Sequence, residues 1–210
     1  MIDQIQWLGH GSFVIQGPPI IYINPWRVIR SVFHADAILV SHDHYEHCSL
    51  ADIDKLKGDD TVIVGNNAVR EQAEETVILR HWHTMTVDRA AIKAVPAYTP
   101  DDAGHPASAN GLGFVISINY HDIYYAGDTG IIPEMARIRP DIALLPIDGN
   151  GGTLNVTQAV EVVRQISPKI VIPYNWGTIA GGATLVDAQE FKKQVGDLAK
   201  VIIPQGRAEA

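Results

Sequence analysis

Scarcity narrows the possibilities for this chain before any motif does. It carries one cysteine, Cys48, among 210 residues, so no internal disulfide can form, as is usual for proteins of a reducing compartment. No window approaches the run of about 18 apolar residues that spans a bilayer. The start, MIDQIQWLGHGSF, has neither the basic flank nor the long apolar core of an export signal. A soluble, cytoplasmic protein without a membrane partner is expected. Basic side chains are in short supply too: 16 Lys and Arg face 24 Asp and Glu, a formal net charge of −8. Gripping a phosphate backbone takes clustered cations, so nucleic acid is not an expected partner. Repeats and low-complexity linkers are also missing, and one domain over residues 1–210 is expected.

What is present is an ordinary globular composition, 46% hydrophobic, punctuated by 18 glycines and 12 prolines into many short elements. The runs IQWL, SFVI and IIYI, rich in β-branched and aromatic residues and parted by Gly-His-Gly and Gly-Pro-Pro, read as a strand meander. A further strand, AILVS at 37–41, leads into a segment where Ser49 and Asp52 have the spacing of a capping box, for a helix ending near Gly58. Strands at TVIV and TVIL flank a helix over 66–75, and another strand covers 91–95. Residues 96–111, PAYTPDDAGHPASANG, form a long polar loop of the kind that carries function or moves. Strands over 112–118 and 122–126 read as a hairpin across Asn119-Tyr120-His121. From 141 onward strand and helix alternate: strands at 141–146, 169–173 and 200–204, helices at 156–166 and 184–195. That rhythm predicts βαβ packing.

The most informative stretch is ILVSHDHYEHCSL, residues 38–50. Three histidines and two acids crowd the junction between a strand end and a helix start, and a bound cation is the natural reason for the grouping. His42 and His44, two apart, share a side in extended backbone, while His47 approaches from another direction. Neutral imidazole is the most versatile ligand for borderline cations such as zinc, and a carboxylate can join it. Asp128, in IYYAGDTG, supplies one at a strand end between glycines that permit close backbone approach.

Taken in order, WLGHGSFVI, a strand ending in Asn-Pro-Trp, SHDHYEH, AVPAYTP, YYAGDTG, ALLPIDG and VIPYNWGT resemble the metallo-β-lactamase-fold hydrolases over nearly the whole chain. The likeness is to the branch of L-ascorbate-6-phosphate lactonase and N-acyl-phosphatidylethanolamine phospholipase D-like proteins. The resemblance implies an α/β fold, a four-layer αββα sandwich of two mixed sheets with helices outside, and metals in a cleft at one sheet edge. It implies that His42 and His44 bind a first ion, His47 a second, and that Asp128 bridges them. The family has a further first-site histidine in the loop after the strand at 91–95; the matching stretch here reads Ala-Tyr-Thr-Pro, and the next histidine, His105, is the candidate, with a surface residue as its alternative. The ions implied are zinc, one or two, with manganese or another divalent cation an alternative at the second position.

Three positions depart from the family pattern. Glu46 stands where the family has Asp, Asn175 where it has His, and Asn24 where an Asp orients the histidine loop. All three bear on the second ion, so one tightly held ion and a weak or absent second are expected. The chemistry implied is hydrolysis of a small ester, lactone or phosphodiester by a metal-activated water. Asp128 would orient that water, and Glu46 or Asp43 would accept its proton, Asp43 pointing away from its flanking histidines. The alternative is a metal-binding module in which the altered ligands have ended turnover. His10, in a turn, and Tyr174 and Trp176, flanking Asn175, are candidates to wall the cleft. His34, His81, His83 and His121 read as surface residues, and Cys48 as a small buried hydrophobe. A small-molecule substrate and a homo-oligomer are the expected partners.

Overall fold

The computed structural model describes residues 1–29, 33–101 and 104–205, and in it the chain divides into two consecutive sheets. The first runs β1 (Ile5–Gly9), β2 (Ser12–Ile15), β3 (Ile21–Ile23), β4 (Ala37–Leu39), β5 (Val62–Gly65) and β6 (Val77–Ile78), in sequence order across the sheet. The second runs β7 (Thr84–Val87), β8 (Ala90–Pro96), β9 (Leu112–Ile118), β10 (His121–Tyr125), β11 (Ile142–Pro146), β12 (Ile170–Tyr174) and β13 (Lys200–Val201). Each opens as an antiparallel meander and continues parallel, the change coming after β3 in the first and after β10 in the second. This is the αββα sandwich with mixed sheets.

Side-chain alternation along the strands builds two cores. Leu39 turns inward with Phe13, Ile15 and Ile23 to meet Ile92, Phe114, Ile116 and Tyr125 of the second sheet. Its neighbour Ile38 turns outward, with Val40 and Ile63, beneath Ile53 and Leu56 of α1 (Leu50–Leu56) and Val69 of α2 (Asn67–Gln72). On the second sheet, α3 (Val156–Ile166) presents Ala159, Val160, Val163 and Ile166, and α4 (Leu185–Val195) presents Ala188 and Phe191. Burial of those apolar stripes accounts for both helices, and both begin in capping boxes, Asn155 with Gln158 and Thr184 with Asp187. Among the described residues no helix is long and apolar enough to cross a membrane.

Two local expectations are corrected, and one strand was not foreseen. The hairpin turn is Asn119-Tyr120 alone, both at positive φ, 50° and 61°, as a two-residue turn matching strand twist requires; His121 already pairs with Ile118 in the ladder. β7 was not legible, because Thr-Met-Thr-Val lies at an edge with its residues exposed or half-buried. The Ser49 and Asp52 box does not form: Ser49 Oγ donates to Asp52 Oδ2 at 2.8 Å, and that carboxylate reaches away from the helix to accept the N–H groups of Arg27 (2.8 Å) and Val28 (3.1 Å).

At one edge the sheets are tied together: Leu112 N–H donates to the Ser41 carbonyl at 2.9 Å, and Asn66 Nδ2 donates to the carbonyls of Ala109 (3.2 Å) and Asn110 (3.1 Å). The histidine segment lies at this edge.

Candidate metal centre

The loop after β4 stays buried through Val40 and Ser41 and then turns sharply, with the N–H groups of His47 and Cys48 both donating to the His44 carbonyl at 2.9 and 2.8 Å. That turn folds the His47 ring back against His42, centroids 4.3 Å apart, while His44 meets His42 at 4.6 Å. His105 arrives from the long 96–111 loop, its ring 5.1 Å from His42 and 4.9 Å from His44. Gly11 leaves the room: a Cβ there would sit 2.9 Å from His47 Cε1 and 2.9 Å from the Tyr125 hydroxyl.

Asp128 follows β10 through Gly127, whose φ of +72° aims the carboxylate back into the edge. Its Oδ2 lies 3.3 Å from His47 Nε2 and 3.6 Å from His105 Nε2, ion-pair approaches without hydrogen-bond alignment. Its Oδ1 accepts from Asn175 Nδ2 at 3.3 Å. Potential ligand atoms of His42, His44 and His105 lie within 4.8 Å of one another, and so do those of His42, His47 and Asp128. His42 Nε2, His47 Nε2 and both ring nitrogens of His105 are buried without a hydrogen-bond partner. An unsatisfied buried polar atom costs about 1–3 kcal/mol, and those of His42 and His105 beside the Asp128 carboxylate fit a divalent cation.

The electrostatics lean the same way. Burial opposes ionisation of Asp128, but His47, His42 and His105 outweigh it and hold the carboxyl well below the usual range. Burial, reinforced by His47, pushes His42 down. Burial also lowers His47, yet the Asp128 charge overrides it and the net direction is up. An ionised carboxylate beside a neutral His42 is the protonation state that binds cations.

The other nominated residues take distinct places. Glu46, partly buried, groups with His10 and His47 and not with the His42, His44, His105 set. His10 is buried in the β1–β2 turn at φ 48°, its ring 5.4 Å from His47, and burial together with His47 pushes its pKa down to about 4. Asp43 lines the cleft beside His42 and His44, and joins no ligand group among the described residues. Asn24 is fully buried at the centre of a polar network with Ser41, Tyr125 and His47. Asn175 reaches Asp128 with its amide nitrogen and leaves Oδ1 unpartnered.

Tyr174 and Trp176 do not wall the cleft. Tyr174 is fully buried, stacked on Tyr125 at 5.1 Å with its hydroxyl donating to the Gly127 carbonyl at 2.8 Å, so it props the turn that carries Asp128. Trp176 stacks on Trp7 at 4.8 Å. His34 and His83 are exposed and His81 and His121 half-buried, none of them within the ligand groups; Cys48 is buried.

Two residues of this edge went unassigned in the sequence. Asp148 follows β11, half-buried, and its carboxyl is raised to about 6 by burial and by the charge of Asp128. Its signal was an acid after an apolar strand in ALLPIDG, the pattern that exposed Asp128. Ser41 Oγ lies 2.9 Å from His42 Nδ1, and a serine directly before the histidine was the only sign of it. The cleft lined by His42, His44, His105 and Asp128 encloses about 30 Å³, room for an ion and a water or two.

Clustered imidazoles and a carboxylate at the shared edge of two mixed sheets, with helices outside, define the metallo-β-lactamase-fold class. The model of the β-lactamase superfamily domain matches residues 4–175, and the chain belongs to that family. It is 33% identical to a UPF0173 metal-dependent hydrolase of Pyrococcus abyssi, over 95% of each chain. Among solved structures, a protein of Parabacteroides distasonis provisionally assigned as a metal-dependent hydrolase superposes with a TM-score of 0.83 at 28% identity, covering 97% of this chain and 93% of the other. Igni18, a metallo hydrolase from Ignicoccus hospitalis, shares the fold with a TM-score of 0.79 at 24% identity, over 98% and 95%. These matches define the superfamily; the lactonase and phospholipase branch stands as a resemblance.

Proposed function

We propose that this protein is a metal-dependent hydrolase of a small ester, lactone or phosphodiester, working in a reducing, cytoplasmic setting. The observation that carries the reading is the grouping of His42, His44 and His105, with Asp128 grouped with His42 and 3.6 Å from His105 Nε2, and with buried ring nitrogens of His42 and His105 that no protein group satisfies. Those four residues would hold a divalent cation, zinc by donor type. When bound, such an ion supplies an acidified water as nucleophile and polarises the electrophile.

The chain's own groups do the remaining work. Ser41 Oγ holds His42 Nδ1 and so fixes the ring with Nε2 toward its neighbours. Asp128, kept ionised, orients the nucleophilic water by accepting its hydrogen. Glu46, grouped with His10 and His47, would take the proton released. The narrow cleft keeps the scissile group at its mouth, and that favours substrates whose reacting bond is exposed at one end. The naming of the Pyrococcus abyssi relative as a metal-dependent hydrolase supports the reaction class.

A second reading, ligand binding without turnover, draws on Asn175, which presents a donor to Asp128. Zinc-loaded protein assayed on p-nitrophenyl acetate and bis(p-nitrophenyl) phosphate separates the two. Under the hydrolase reading at least one is cleaved and His42→Ala brings the rate to background. Zinc retention with no cleavage of esters, lactones or phosphodiesters supports the second.

A further inference from the structure

Asn24 is held in one orientation by two independent neighbours. Its Oδ1 accepts the backbone N–H of Ser41 at 2.8 Å, and a backbone amide cannot become an acceptor. On the other side, the Tyr125 hydroxyl donates its single hydrogen to the Gly11 carbonyl at 3.0 Å, so it meets Asn24 Nδ2, 2.8 Å away, as an acceptor. Both contacts seat the oxygen toward the Ser41 N–H and the nitrogen toward the Tyr125 hydroxyl, His47 and the Ser41 hydroxyl, whose Oγ accepts from Nδ2 at 2.8 Å. The third close neighbour of Nδ2 is His47 Nδ1, at 2.7 Å. An amide nitrogen donates and does not accept, so His47 must meet it with a ring lone pair. In a neutral imidazole the hydrogen then resides on Nε2, the nitrogen that faces Asp128 Oδ2 at 3.3 Å.

We infer that Asn24 is a positioning residue that locks His47 in the Nε2–H tautomer, withdrawing it from cation binding, so that this edge holds one ion on His42, His44, His105 and Asp128. Asn175 acts in the same sense from the opposite side, because its Nδ2 occupies Asp128 Oδ1 at 3.3 Å where a second ion would need that oxygen. His47 is thereby a hydrogen-bearing neighbour of the Asp128 carboxylate. A carboxylate at position 24 would reverse the arrangement: it only accepts, so it would draw the hydrogen to Nδ1 and free Nε2 as a ligand. The inference rests on the cation site proposed above and specifies its stoichiometry.

The test uses the full chain and zinc alone. Side-chain nitrogen-15 shifts of His47 in zinc-free wild-type protein report the tautomer directly, and Nδ1 without hydrogen is expected. Calorimetric titration with zinc should give one tight equivalent for wild type, one for His47→Gln, and two for Asn24→Asp. Two tight equivalents in wild type, a hydrogen on His47 Nδ1, or loss of the single equivalent in His47→Gln would each overturn the inference while leaving the hydrolase reading standing. Absence of any zinc binding would remove both. Should Asn24→Asp not fold, the tautomer and the wild-type stoichiometry still decide.

Discussion

Asp148 and Asp128 are two carboxyls at one sheet edge driven in opposite directions, the first raised to about 6 and the second held well below its usual range. A raised carboxyl favours folding while protonated, so Asp148's contribution is intact at about pH 4 and is lost as pH climbs through about 6. In zinc-free protein, Asp148→Asn should therefore be near neutral at pH 4 and stabilising by about 1–2 kcal/mol at pH 7.5, allowing for partial exposure; urea unfolding at the two pH values measures this. Gly11 offers a steric counterpart. A methyl group there meets the His47 ring and the Tyr125 hydroxyl at 2.9 Å, so Gly11→Ala should cost about 1–3 kcal/mol by overpacking, visible as a lowered urea midpoint.

At the level of elements, α1 is fastened to the chain before it through one side chain. Asp52 accepts from Arg27 N, Val28 N, Ser49 Oγ and Lys55 Nζ, and although burial pushes its carboxyl up, Lys55, Ser49 and Arg27 together hold it down. A depressed carboxyl contributes above its unfolded pKa and loses that contribution as pH falls through the lower folded value, so this fastening weakens only in acid. Asp52→Ala should cost about 2–3 kcal/mol at pH 7, because charge-assisted bonds are lost and backbone donors are left unpaired; thermal unfolding checks it. Asp52 also shows where the sequence stops speaking. Its spacing from Ser49 has the local form of a capping box, but its partners Arg27 and Val28 lie 25 and 24 residues away, beyond any local pattern. α3 and α4 were legible because their caps and apolar stripes are local. β7 was not, since it is an edge strand defined by its pairing with β8. In the site, HxHxxH and the acid of Ala-Gly-Asp-Thr-Gly stood out by composition. The turning of Tyr174 into the core, the orientation of Asn24 and the approach of His105 depend on sheet closure, which single-residue signals do not carry.

For the molecule as a whole, the two sheets meet through apolar contacts such as Phe13 on Tyr125 and Tyr174, at 6.1 and 5.7 Å, and through the ligand cluster at one edge. Zinc binding only the closed arrangement should raise stability by mass action, about 4 kcal/mol at a thousandfold excess over Kd. A melting temperature that rises with zinc and falls back with a chelator is the expected outcome in scanning calorimetry. Each sheet is one unbroken stretch of sequence, and the cluster draws on both: the imidazoles of 42–47 follow β4, whereas Asp128 follows β10. A chain emerging from the ribosome thus displays its histidines long before the acid they need exists. The ion would be a late arrival in biogenesis, a clasp fastened on two finished halves and not a nucleus around which either one forms.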